Sequence, residues 1–124
     1  MKKTTVLIVE DEESIRTMYK DAFIGAGLEV FLAHTGEEAL ERALSHHPDC
    51  ILMDINMPGM NGHEAVAKIR HDTWGKTVPI VFLTNMTDAE HVVKAVEAGS
   101  EEYIIKANVT PKEVVNRVRM AIHS

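Results

Sequence analysis

Four consecutive apolar residues, Val6-Leu7-Ile8-Val9, suit a strand that is covered on both faces. The chain repeats this kind of run five times, at residues 5–10, 28–33, 50–53, 78–84 and 102–106, and an amphipathic stretch follows each one. The first stretch carries Ile15, Met18, Tyr19, Ala22 and Phe23 on one helical stripe, closed by Gly25 and Gly27. The second opens on the capping box Thr35-Gly36-Glu37-Glu38 and stops at His46-His47-Pro48. A third helix is expected near residues 64–71, with Val66 and Ile69 facing inward. A fourth begins at Thr87-Asp88-Ala89-Glu90, carries Val92, Val93 and Val96, and ends at Gly99. The fifth starts at Thr110-Pro111-Lys112-Glu113, with proline at the first helical position, and runs through Val114, Val115, Val118, Ala121 and Ile122. In the second strand Val30 and Leu32 share one face and Phe31 takes the other. Strict alternation with right-handed crossovers predicts an α/β fold: a parallel sheet with helices on both faces. Periodicity leaves the strand order open, but it directs attention to the carboxyl ends of the strands.

Those ends carry chemistry. The first strand runs into Glu10-Asp11, the third delivers Asp54, the fourth ends in Thr84 and the fifth in Lys106. Taken singly, an acidic pair before a helix only favours its N-terminus, a threonine after a strand caps a turn, and a lysine is solvated. Together they place three carboxylates, a hydroxyl and an ammonium on one rim, and carboxylates are seldom clustered without a reason. After Asp54 the chain turns through Met57-Pro58-Gly59-Met60-Asn61-Gly62; Pro58 presets φ, while Gly59 and Gly62 allow turns that a side chain would resist. Clustered carboxylates attract a hard divalent cation, and Mg²⁺ takes one or two of them while keeping waters. At least one of the three should have a raised pKa, so metal affinity should rise with pH. With Lys106 opposite, Asp54 is placed as a nucleophile that forms an acyl phosphate, a reaction that asks mainly for positioning and charge neutralisation.

Composition narrows the partners. Nineteen acids against thirteen Lys and Arg give a net charge of −6, which argues against nucleic acid. The hydrophobic share of 45% is that of a globular chain, and the 124 residues are read as one domain, 1–124. The apolar runs are too short to span a membrane and no signal-like segment opens the chain, so a soluble, cytoplasmic protein is expected. The one cysteine, Cys50, lies inside an apolar strand and reads as a small core residue. The seven histidines share no ligand spacing and read as solvated surface; Met57, Met60 and Trp74 read as loop packing. No glycine-rich phosphate loop is present, which leaves a nucleotide enzyme without support.

The segments Val6-Leu7-Ile8-Val9-Glu10-Asp11-Glu12, Met53-Asp54 through Gly62, Phe82-Leu83-Thr84 and Tyr103-Ile104-Ile105-Lys106 resemble the receiver domains of the bacterial two-component response-regulator family, close to the stand-alone chemotaxis type. The resemblance covers essentially the whole chain. It implies a flavodoxin-like (βα)5 three-layer sandwich with strand order 2-1-3-4-5. It also implies that Asp54 accepts a phosphoryl group from a histidine kinase or phosphotransfer protein. Mg²⁺ would be held by Glu10, Asp11, Asp54 and the backbone carbonyl of Asn56. Thr84 and Lys106 would bind the phosphoryl oxygens, and Tyr103 would swing inward with Thr84. The output would be altered binding of a downstream protein, or homodimerisation through the fourth helix, fifth strand and fifth helix, with no enzymatic activity beyond the domain's own phosphorylation and dephosphorylation.

Two positions depart from the family: Ala107 follows the lysine where proline is usual, and Asn85 follows the threonine where a very small residue is usual. Without proline the Lys106–Ala107 bond is expected to be trans, since the cis form costs about 2.5–4 kcal/mol. Two alternatives compete with the switch. A Mg²⁺-dependent aspartyl-nucleophile phosphatase would need a general acid or base that Asn56 cannot provide. A phosphorylation-independent scaffold would not need Glu10, Asp11, Asp54, Thr84 and Lys106 all intact.

Overall fold

The computed structural model describes residues 3–84, 102–106 and 109–123. The apolar runs form five strands: β1 (Thr5–Val9), β2 (Glu29–Ala33), β3 (Cys50–Asp54), β4 (Ile80–Thr84) and β5 (Glu102–Ile105). Helices α1 (Glu13–Gly25), α2 (Gly36–His46), α3 (Gly62–His71) and α4 (Pro111–Ile122) are joined by a 3-10 turn at Trp74–Lys76. All pairings are parallel, in the order β2-β1-β3-β4-β5. Every residue of β1, β3 and β4 is buried, as their unbroken apolar runs require, whereas the edge strand β2 begins on exposed Glu29.

Two apolar clusters fill the space between the layers. Leu7, Val9, Ile51, Met53, Ile80 and Phe82 face α2 and α3. Val6, Ile8, Cys50, Leu52, Val81, Leu83 and Ile104 face α1 and α4. Side chains alternate across a strand, so each strand supplies both clusters. Phe31 packs on the first side, and Val30 and Leu32 on the second. Cys50 is fully buried and in no disulfide.

The caps are local chemistry. The Thr35 hydroxyl accepts from the Glu38 N–H at 3.0 Å, but Glu38 returns its carboxylate to the His34 N–H at 3.3 Å rather than to Thr35. The Thr110 hydroxyl accepts from the Glu113 N–H at 3.2 Å. Helix α3 starts two residues earlier than the apolar pattern indicates, because the Asn61 side chain accepts from the Glu64 N–H at 3.0 Å. Gly59 has the positive φ expected of it, +73°. Gly62 does not; it is glycine for lack of space, since a Cβ there would lie 2.5 Å from the Asp54 carbonyl oxygen.

Among the described residues one histidine departs from the solvated reading, and two that are exposed as expected also stack on aromatic rings. His63 is half-buried, its ring centroid 5.0 Å from that of Phe82. His46 stacks on Phe31 and His47 on Trp74, with centroids at 4.2 and 4.5 Å. Trp74 packs against the core as expected, from a 3-10 turn rather than an open loop. Met57 is buried, and Met60 crowds Gly36 at the start of α2. The predicted helix over 89–99, Asn85, His91 and the Lys106–Ala107 bond lie outside the described residues. Among the described residues no helix is long and apolar enough to cross a membrane.

Candidate functional site

Glu10, Asp54, Thr84 and Lys106 all reach the carboxyl edge of the sheet. Asp54 and Thr84 are the last residues of β3 and β4, while Glu10 and Lys106 lie one residue past β1 and β5. Glu10 and Asp54 are each 1% exposed, and Thr84 is fully buried. The Lys106 Nζ stands 2.8 Å from Glu10 Oε2 and 3.2 Å from Asp54 Oδ2, bridging the two carboxylates. The second oxygen of each is also held. Glu10 Oε1 accepts from the Glu12 N–H at 3.4 Å, and Asp54 Oδ1 accepts from the Asn56 N–H at 3.0 Å. The Ile55 N–H donates to the Leu83 carbonyl at 3.0 Å and keeps the chain beyond Asp54 against β4.

Carboxylate oxygens of Glu10, Asp11 and Asp54 come within 4.8 Å of one another, with Asp11 on the exposed side. An all-oxygen, anionic donor set of this kind fits a hard divalent cation. The Asn56 side chain is committed elsewhere: its Oδ1 accepts from the Thr84 hydroxyl at 3.0 Å. Tyr103 is half-buried, packs on the α2/α3 side of the sheet and lies in register with Phe82.

The electrostatics follow from burial. Loss of solvent pushes Glu10 up from 4.5 to about 7; the Lys106 hydrogen bond opposes this shift and the charge of Asp54 adds to it. Burial also raises Asp54, against the charge of Lys106 and the Asn56 N–H. Burial pulls Lys106 down, but its bond to Glu10 and the charge of Asp54 hold it above its ordinary value. Folded Glu10 therefore keeps a proton that the unfolded chain releases. Its contribution to stability is fully present below about 4.5 and is lost as pH rises through about 7. Chelator-treated protein should lose stability across that window relative to Glu10→Gln, measured by urea unfolding at a series of pH values. Parallel profiles for the two proteins would mean that Glu10 titrates normally.

Two further residues act on the site in ways that periodicity does not indicate. Arg16, on the first turn of α1, donates to the Glu10 carbonyl at 2.9 Å and to the Asp11 carbonyl at 3.5 Å, fixing the acidic pair from behind. Tyr19, expected only in the α1 stripe, is buried close enough to the site that, after burial itself, the charges of Lys106, Glu10 and Asp54 act on its phenol.

The model of the response regulator receiver domain matches residues 6–119. The chain belongs to the response regulator receiver family. Among solved structures, it superposes on the chemotaxis protein CheY4 of Vibrio cholerae with a TM-score of 0.91, at 32% identity over 97% of this chain and 99% of that one. A putative response regulator of Chloroflexus aurantiacus gives 0.90 at 34% identity, covering 99% and 100% of the two chains. The DNA-binding response regulator MtrA of Mycobacterium tuberculosis is 38% identical over 114 residues, which are 92% of this chain and 48% of the relative. The receiver chain thus spans about half the length of the first curated relatives it matches. The expected strand order and three-layer sandwich are borne out.

Proposed function

We propose that this receiver is a phosphorylation-controlled switch in which Asp54 takes a phosphoryl group from a phosphohistidine of a histidine kinase or phosphotransfer protein. The observation that carries this reading is the meeting of Asp54 with the Glu10 and Asp11 carboxylates on one side and the Lys106 ammonium on the other. An Asp54 oxygen forms the new O–P bond as the donor's N–P bond breaks, and the donor nitrogen keeps the electron pair. Glu10, Asp11, Asp54 and the Asn56 carbonyl would hold Mg²⁺, which supplies neutralising charge for the transferred group. The Asn56 N–H keeps Asp54 oriented, and Lys106 meets the negative charge that arrives on the phosphoryl oxygens.

The Thr84 hydroxyl is the donor for one of those oxygens, and Tyr103 carries the change toward the surface of β5. The output is altered affinity for a downstream protein, or self-association through the face built from β5, α4 and the predicted helix over 89–99. The domain catalyses only its own phosphorylation and dephosphorylation, and acts in the cytoplasm. The acidic charge of the chain and its match to about half of MtrA give no ground for DNA binding by these residues.

With acetyl phosphate and Mg²⁺, wild type should gain one phosphoryl group by intact-mass spectrometry, and Asp54→Asn none. Equal labelling of the two proteins would place the acceptor elsewhere.

A further inference from the structure

We propose that the Asn56 side chain is a positioning residue that competes with phosphorylated Asp54 for the one proton of the Thr84 hydroxyl. This rests on the reading of Asp54 as the phosphoryl acceptor. A threonine hydroxyl has a single proton to give, and a carboxamide oxygen can only accept. At 3.0 Å from Asn56 Oδ1, the Thr84 hydroxyl gives that proton to Asn56. While it does so, it has none for a phosphoryl oxygen.

The surrounding geometry makes the exchange local. Asp54 lies in register with Leu83, and the Ile55 N–H bonds to the Leu83 carbonyl at 3.0 Å, so the backbones of β3 and β4 are tied beside the two residues. Asn56 holds both participants, for its backbone N–H donates to Asp54 Oδ1 at 3.0 Å and its side chain takes the Thr84 proton. Thr84 is fully buried and a hydroxyl there needs a partner, whereas Asn56 is half-buried and can hand its carbonyl to water. A phosphoryl oxygen is the stronger acceptor because charge-assisted hydrogen bonds exceed neutral ones. Phosphorylation therefore wins the proton, but against a competitor. Remove the carboxamide and the hydroxyl loses that acceptor, so the engaged state becomes easier to reach.

The test is a double-mutant cycle read as the affinity for beryllium trifluoride, an acyl-phosphate mimic, in saturating Mg²⁺ by calorimetry. The proteins are wild type, Asn56→Ala, Thr84→Val and the double variant. Asn56→Ala should bind about fivefold more tightly than wild type, the worth of one neutral hydrogen bond. In the Thr84→Val background the same substitution should change affinity by less than about twofold, because the proton being contested is gone. An effect of equal size in both backgrounds would assign Asn56 a role in loop shape alone and overturn the proposal, as would weaker binding by Asn56→Ala. Asn56→Ser, whose shorter side chain cannot span the contact, provides the same comparison should the alanine variant fail to fold. Failure of wild type to bind the mimic and to label at Asp54 would remove the acceptor reading itself. Normal labelling with an additive cycle would remove only the competition.

Discussion

Lys106→Met should destabilise the fold by about 3 kcal/mol near pH 8 and by much less near pH 5. The ammonium lies 2.8 Å from Glu10 and 3.2 Å from Asp54, and both carboxyl groups are 1% exposed. Removing one partner from a buried pair typically costs about 3–5 kcal/mol. The lower figure applies here because the Lys106 side chain retains 11% exposure, so part of the attraction is already screened. The pH dependence has a definite sign. Burial already raises Glu10 to about 7 with the lysine in place, and loss of the cation removes the influence that opposes this. At the acidic end Glu10 is protonated and adds no uncompensated charge when the lysine is lost. As pH rises through the folded pKa, two buried like charges face each other with nothing between them. The stability difference between variant and wild type should therefore widen from about pH 5 to about pH 8 in urea unfolding experiments. A difference that stays constant with pH would mean that Lys106 acts through packing of its aliphatic stem.

That ion pair joins residues 96 positions apart, which explains how far the sequence could be read. The strands were legible because three of them are buried on both faces and carry only apolar residues between their ends. The candidate site was legible for a related reason: Glu10, Asp54, Thr84 and Lys106 each interrupt or follow an apolar run at its carboxyl end. Which of them touch depends on strand order, and a periodicity of two says nothing about neighbours across a sheet. The order came from family resemblance, and only with β1 next to β3 do Glu10 and Asp54 become adjacent. Single bonds from side chain to backbone were the hardest to foresee. Arg16 reaching the Glu10 carbonyl, and Asn61 drawing the start of α3 back to Gly62, depend on one local geometry each and leave no repeating pattern. The histidine stacks were missed because solvent exposure alone does not prevent a ring from packing on Phe31 or Trp74.

Gly62→Ala should be the most damaging of three glycine replacements, and the one that also reaches the site. A Cβ at Gly62 would lie 2.5 Å from the Asp54 carbonyl oxygen and 2.9 Å from the Ile55 Cα. Backbone atoms cannot swing aside like the end of a flexible side chain, so one of two things must give. The first turn of α3 can retreat, losing the Gly62 N–H bond to the Ile55 carbonyl at 3.3 Å. Alternatively the Asp54–Ile55 peptide can shift, disturbing the Ile55 bond to Leu83 and the Asn56 bond that orients Asp54. Overpacking at such a place costs about 1–3 kcal/mol, and contact with backbone argues for the upper part of that range. Gly59→Ala should lose about 1–2 kcal/mol for a different reason, a φ of +73° with open space around the Cβ. Gly25→Ala has neither problem: no atom lies within 4 Å and the residue is the last of α1. It should be neutral, or gain up to about 1 kcal/mol by restricting the unfolded chain. Thermal unfolding should rank the three in that order, and phosphodonor labelling at Asp54 should slow in Gly62→Ala but not in Gly25→Ala. If Gly62→Ala proved as stable as Gly25→Ala, the start of α3 would not press on the end of β3, and the close packing that fixes Asp54 against the helix would have to be abandoned.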